Sequence, residues 1–124
     1  MGVNYLFNKL ENIKILTNDE LEEYAYEDNA ITLYDYRKHY WVENYLRANA
    51  KHGVNYDDFL LTKEDIINFI KEINLALETN CSNFDKDDFF RISHIEDELR
   101  SVLNDMNNLL NEDFENNTIY FSEI

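Results

Sequence analysis

His39, His52 and His94, the single Cys81 and several runs of adjacent carboxylates are the side chains with which this chain could do chemistry. Their spacing serves none of the common reactions. The histidines fall outside the H-x-x-x-H and H-E-x-x-H patterns that set two imidazoles on one helical face for zinc, and one cysteine offers no thiol cluster. The run FDKDDF, residues 84–89, lacks the glycine and the closing glutamate of a calcium loop. Asp57 and Asp58 read as loop solvation rather than as a general acid and base. No G-x-S-x-G nucleophile motif is present, and two glycines cannot build a phosphate-cradling G-x-x-x-x-G-K-[ST] or G-x-G-x-x-G loop. The chain is therefore expected not to be an enzyme, to have no catalytic or metal-ligating residues and to need no cofactor.

Charge carries more information. The net charge is −15, from 26 acids and 11 bases. In NDELEEYAYEDN, six of the ten residues at 19–28 are acidic: Asp19, Glu20, Glu22, Glu23, Glu27 and Asp28. Asp19, Glu23 and Glu27 recur every four residues, so on a helix they form one ridge in which neighbouring like charges repel by a few tenths of a kcal/mol each. Residues 35–52 stand apart, with four of the eleven Lys and Arg and two of the three His against only Asp35 and Glu43. Within them Arg37, Lys38, His39 and Arg47 form a candidate anion-binding patch, although Arg37 and Lys38 point about 100° apart on a helix. Alternatively, the same bases neutralise a self-repelling acidic shell, their stems lying over aromatic rings.

The elements that must position these groups read as mostly helical. Thr17 or Asn18 caps a short helix reaching residue 28, with Asp19 and Glu20 in its first turn. Thr32 followed by Asp35 resembles a capping box, and Gly53 stands where a left-handed terminus is wanted, which predicts one long helix over 33–52. On it Tyr34, Trp41, Tyr45 and Ala48 share an apolar face. Thr62 with Asp65 opens a third helix, carrying Ile66, Ile70, Ile73 and Leu77 as its stripe. Ser93 with Glu96 opens a fourth, carrying Leu99, Val102, Leu103, Met106 and Leu110. Two short apolar stretches, VNYLF at 3–7 and TIYFS at 118–122, read as strands able to pair at the edge of the domain.

The expected fold is mainly α (α+β): a bundle of about four helices with a small two-stranded β element formed by the termini. Its 44% hydrophobic and 15% aromatic content supports one acidic globular domain over 1–124 rather than a disordered acidic tail. The chain has no apolar run of signal-peptide length, and none approaching the roughly 18 residues of a membrane span. Leu6 stands where a myristoylation signal wants Ser or Thr. A cytoplasmic protein, in the cytoplasm of a host cell, is the expectation.

The segment YRKHYWVENYL, residues 36–46, resembles the W-R-K-A-N-x-I-H-x-W-F helix of a family of small uncharacterised phage and prophage proteins. Arg37 and Lys38 match its basic pair, Val42 its aliphatic position, and Tyr45 with Leu46 its aromatic-apolar pair. The opening MGVNYL is similar to that family's M-G-L-D-M-Y-L start. Tyr40 and Glu43 replace the family's Asn and His, so the resemblance implies a phage or mobile-element origin and no reaction.

A strongly acidic protein is repelled by nucleic acid and drawn at long range to the proteins that bind it. The expected function is an acidic, anti-CRISPR-like inhibitor that mimics nucleic acid on the basic surface of a defence effector. Asp19, Glu20, Glu22, Glu23, Glu27 and Asp28 would make the contact, with Tyr24 and Tyr26 as anchors. The expected partner is a basic nucleic-acid-binding protein such as a CRISPR effector, with no direct contact to nucleic acid or membrane. Rival readings are an accessory protein that binds an anionic ligand through Arg37 and His39, and a homo-oligomeric subunit.

Overall fold

The computed structural model of the protein describes residues 3–24, 30–53, 57–79 and 92–124. Cys81, the run at 84–89, Tyr26, Glu27, Asp28 and the side chains of Ser93 and His94 lie outside what it describes. Along the chain come β1 (Asn4–Leu10), α1 (Asn18–Tyr24), β2 (Ala30–Arg37), α2 (Tyr40–Asn49), β3 (Phe59–Leu61), α3 (Lys63–Glu78), α4 (Ile92–Leu109) and β4 (Thr118–Glu123). The strands form one antiparallel sheet in the order β2-β1-β4-β3. The fold is thus α+β on a four-stranded sheet, which corrects the expectation of a helical bundle with a two-stranded β element. The terminal strands do pair, from Tyr5↔Glu123 to Leu10↔Thr118, but as the central pair of the sheet rather than its edge.

The expected long helix over 33–52 is overturned too. Its first part is strand β2, and only α2 is helical. AITLYDYR is rich in β-branched and aromatic residues that suit a pleated surface, and β1 needs a partner for its outer edge. Thr32 caps nothing: its hydroxyl donates to Asn8 Oδ1 at 3.1 Å, while Asp35 is exposed on the strand. Lys38, at φ 64°, turns the chain out of β2 and into α2. Gly53 does not adopt positive φ either. It is needed for close approach, since a Cβ there would lie 2.3 Å from the Leu46 carbonyl oxygen.

Strand alternation divides the interior in two. On one face Tyr5, Phe7, Tyr36, Phe59, Leu61, Ile119 and Phe121 meet the apolar stripes of α2, α3 and α4. Trp41, Val42 and Leu46 are buried from α2, whereas Ala48, assigned to that face from sequence, is exposed. The third stripe holds: Ile66 and Ile73 are buried, and Ile70 and Leu77 pack against the core. In the fourth, Leu99, Val102 and Met106 are buried while Leu103 and Leu110 pack at its margin. The opposite face of the sheet carries a smaller cluster, Leu10, Leu60 and Tyr120, covered by Ile15 and by Leu21 of α1. No described helix is long and apolar enough to cross a membrane.

Candidate functional site

The acidic helix α1 is held by its inner side. Thr17 Oγ1 accepts from the Glu20 amide at 3.2 Å, and Leu21 is fully buried in the smaller cluster. Buried Asn18 acts as a clamp, donating from Nδ2 to the His52 carbonyl (2.9 Å) and accepting the Leu60 amide on Oδ1 (3.0 Å). With one side fixed, Asp19, Glu20, Glu22 and Glu23 are left exposed. The negative field continues into the segment before β3. Burial raises the Asp58 carboxyl above its usual range, a hydrogen bond with Ser122 opposes the shift, and the charges of Asp57 and Glu22 add to it. Tyr24 is half-buried against the smaller cluster and is not a free anchor.

The proposed basic patch does not assemble as a set of four. Arg37 and Lys38 are exposed at the end of β2. His39 Nδ1 lies 3.0 Å from the Arg37 carbonyl, and its ring stacks on Tyr36 with centroids 5.2 Å apart. Arg47 is committed elsewhere. Its Nε donates to Glu43 at 2.8 Å and a terminal nitrogen to Glu123 at 2.9 Å, with the guanidinium 5.4 Å above the Phe59 ring. Tyr5 also donates to Glu43, at 3.1 Å. Burial and the neighbouring Glu43 raise the Glu123 carboxyl, against the opposing pull of Arg47. The rings beside His39 serve α4 acids: Trp41 Nε1 donates to Glu98 (2.8 Å) and the Tyr36 hydroxyl to Asp105 (2.6 Å). Burial and that bond raise the Tyr36 phenol far above its ordinary range.

A different set of bases is brought together by the fold. Lys14, Lys51, His52 and Lys63 line one cleft of about 460 Å³, along with Leu16, Phe114 and the ends of β3 and β4. Among the described residues no carboxylate lines it, although acids make up 26 of the 124 positions. Buried polar side chains pin each wall. Asp65 accepts the Lys51 amide on Oδ1 (3.0 Å) and the Thr62 amide on Oδ2 (2.8 Å), completing the Thr62 capping box of α3 while holding the end of α2 against it. Thr118 donates to the Ile13 carbonyl (2.6 Å) and accepts the Ile15 amide (2.8 Å), and Asn117 accepts the Asn12 amide (2.9 Å). Asn18 fixes His52 and Leu60 as described above.

These lysines come from sequence-distant segments whose local patterns are unremarked, so only the apolar-basic alternation of NKLENIKIL and the Thr62 box offered any signal. Among the described residues no group of three or more His, Cys, Asp or Glu could hold a metal ion. Comparison of the chain with protein-family models, with curated proteins and with solved structures finds no match.

Proposed function

We propose that the protein is a binding protein without catalytic activity that presents the outer face of α1 to a basic surface of a partner protein. The observation that carries this reading is the one-sided seating of α1: Leu21 and Asn18 are buried, and Asp19, Glu20, Glu22 and Glu23 all face outward. Like charges on one short helix repel. A partner whose surface is built to hold phosphates would relieve that repulsion on binding and would be steered toward it from a distance. Exposed Asp57 and half-buried Asp58 add to the same negative field, which Asp58 shares with Glu22 of α1. Nucleic-acid-binding proteins are the partner class with the matching charge, and the phage-family resemblance favours a defence effector, which makes an inhibitor the most specific form of the proposal.

The test is capture with the tagged protein at low and high salt, run in parallel with a Glu20→Lys, Glu23→Lys double variant. Both positions are exposed, so the fold should survive. A nucleic-acid-binding protein recovered by the parent at low salt, lost at high salt and lost by the variant supports the reading. A partner retained equally by the variant, or none at either salt, refutes it.

A further inference from the structure

We propose that the cleft between residues 14–16, the end of α2 and the start of α3 binds a small organic anion, a carboxylate or phosphate group carried on an apolar body. Lys14, Lys51 and Lys63 line it, and among the described residues none of the three forms an ion pair. In a chain with more than twice as many acids as bases, ammonium groups are readily paired, as Lys9 is with Glu112 at 3.1 Å. Lysines around one hollow with no ion pair among the described residues can receive an anion from outside. Lys14 is partly occupied, donating to the Phe114 carbonyl at 2.6 Å within the field of Asp113, so Lys51 and Lys63 are the principal receptors.

The α3 N-terminus is not the receptor, because the Asp65 carboxylate already accepts the Thr62 amide there. The charge of the lysine side chains has to do the binding. A smaller hollow of about 230 Å³ adjoins the cleft through Leu16 and His52 and includes Asp19, whereas Lys51 and Lys63 line only the larger cleft, which is where the anionic group belongs. The apolar body has its own surface. Leu16 is 69% exposed, one of few large hydrophobic side chains so placed among the described residues, and half-buried Phe114 also lines the hollow. A volume of about 460 Å³ lies within the range of small-molecule sites, roughly 300–1,000 Å³. The walls are held in place by Asn18, Asp65 and Thr118, so the site needs little ordering on binding.

The experiment is titration of ¹⁵N-labelled full chain with 1-naphthoate, octanoate and inorganic phosphate, and with neutral 1-naphthylmethanol as control. The expected result is saturable shifts of the His52, Leu60–Lys63 and Thr118 amides with an organic anion. Affinity for that anion should exceed that for the neutral control at least ten-fold. It should fall at least ten-fold in a Lys51→Ala, Lys63→Ala double variant and recover in part with arginine at both positions. Leu16→Ser should weaken the organic anions several-fold and leave phosphate unchanged. Because both lysines are exposed and form no ion pair among the described residues, circular dichroism should show the variant folded. Shifts that do not saturate at millimolar concentration with any anion, or an affinity indifferent to the lysines, would overturn the proposal.

Discussion

Replacing Asp65 by alanine tests the joint on which the cleft and two helices depend. The Asp65 carboxylate is 7% exposed and accepts two backbone amides, from Thr62 within its own capping box and from Lys51 at the end of α2. Hydrogen bonds to a charged group contribute about 1.5–3 kcal/mol, and losing a capping residue alone costs about 1 kcal/mol. Asp65→Ala leaves two amides without their acceptor, so a loss of about 3 kcal/mol is expected, equivalent to roughly 10 °C in melting temperature for a chain of this size. Thr62→Ala removes only the local half of the box and should cost about 1 kcal/mol. Asp65→Asn keeps one acceptor oxygen and should fall between the two. Urea unfolding of the three variants at one pH measures the series; with the two reciprocal bonds of the box taken as equal, the excess of Asp65→Ala over Thr62→Ala gives the contribution of the link to Lys51. Equal costs for those two, or an Asp65→Ala cost below about 1 kcal/mol, would show that the tertiary bond contributes nothing.

Gly53→Ala places a methyl group 2.3 Å from the Leu46 carbonyl and should destabilise by about 1–3 kcal/mol in the same assay; a neutral substitution would refute the close-approach account. Tyr36→Phe deletes the 2.6 Å bond to Asp105 and should cost about 1.5–3 kcal/mol with the helical content intact by circular dichroism. Asp58 binds its proton more tightly in the folded state than in the unfolded one, chiefly through burial. Its stabilising contribution is therefore full below the ordinary carboxylate range, near about pH 4, and is lost as pH rises through its raised folded value. Asp58→Asn should accordingly gain stability relative to the parent as pH rises from that range toward neutrality; a constant difference across those pH values would contradict the assignment.

Part of the fold is legible in the sequence. The Thr62–Asp65 box marked the start of α3 because capping is a contest among four neighbouring residues, and the stripes of α3 and α4 recur at the period of one helix. The terminal strands were readable from their apolar runs, as was the outward charge of α1 from its density of acids. What the local pattern could not rank was the demand of β1 for a second neighbour. That demand draws residues 30–37 into the sheet, although Thr32 and Asp35 have the spacing of a helix start. Once β2 forms, Lys38 redirects the chain and Arg37 separates from Arg47, which is taken up by Glu43, one turn earlier on the same helix, and by Glu123 at the far terminus. The lysine-lined cleft belongs wholly to tertiary structure. Lys14 is far along the chain from Lys51 and Lys63, and the three line one cleft because Thr118 holds residues 13–15 to β4, Asn18 links His52 to β3 and Asp65 links the end of α2 to α3; sequence spacing carries no record of such bonds.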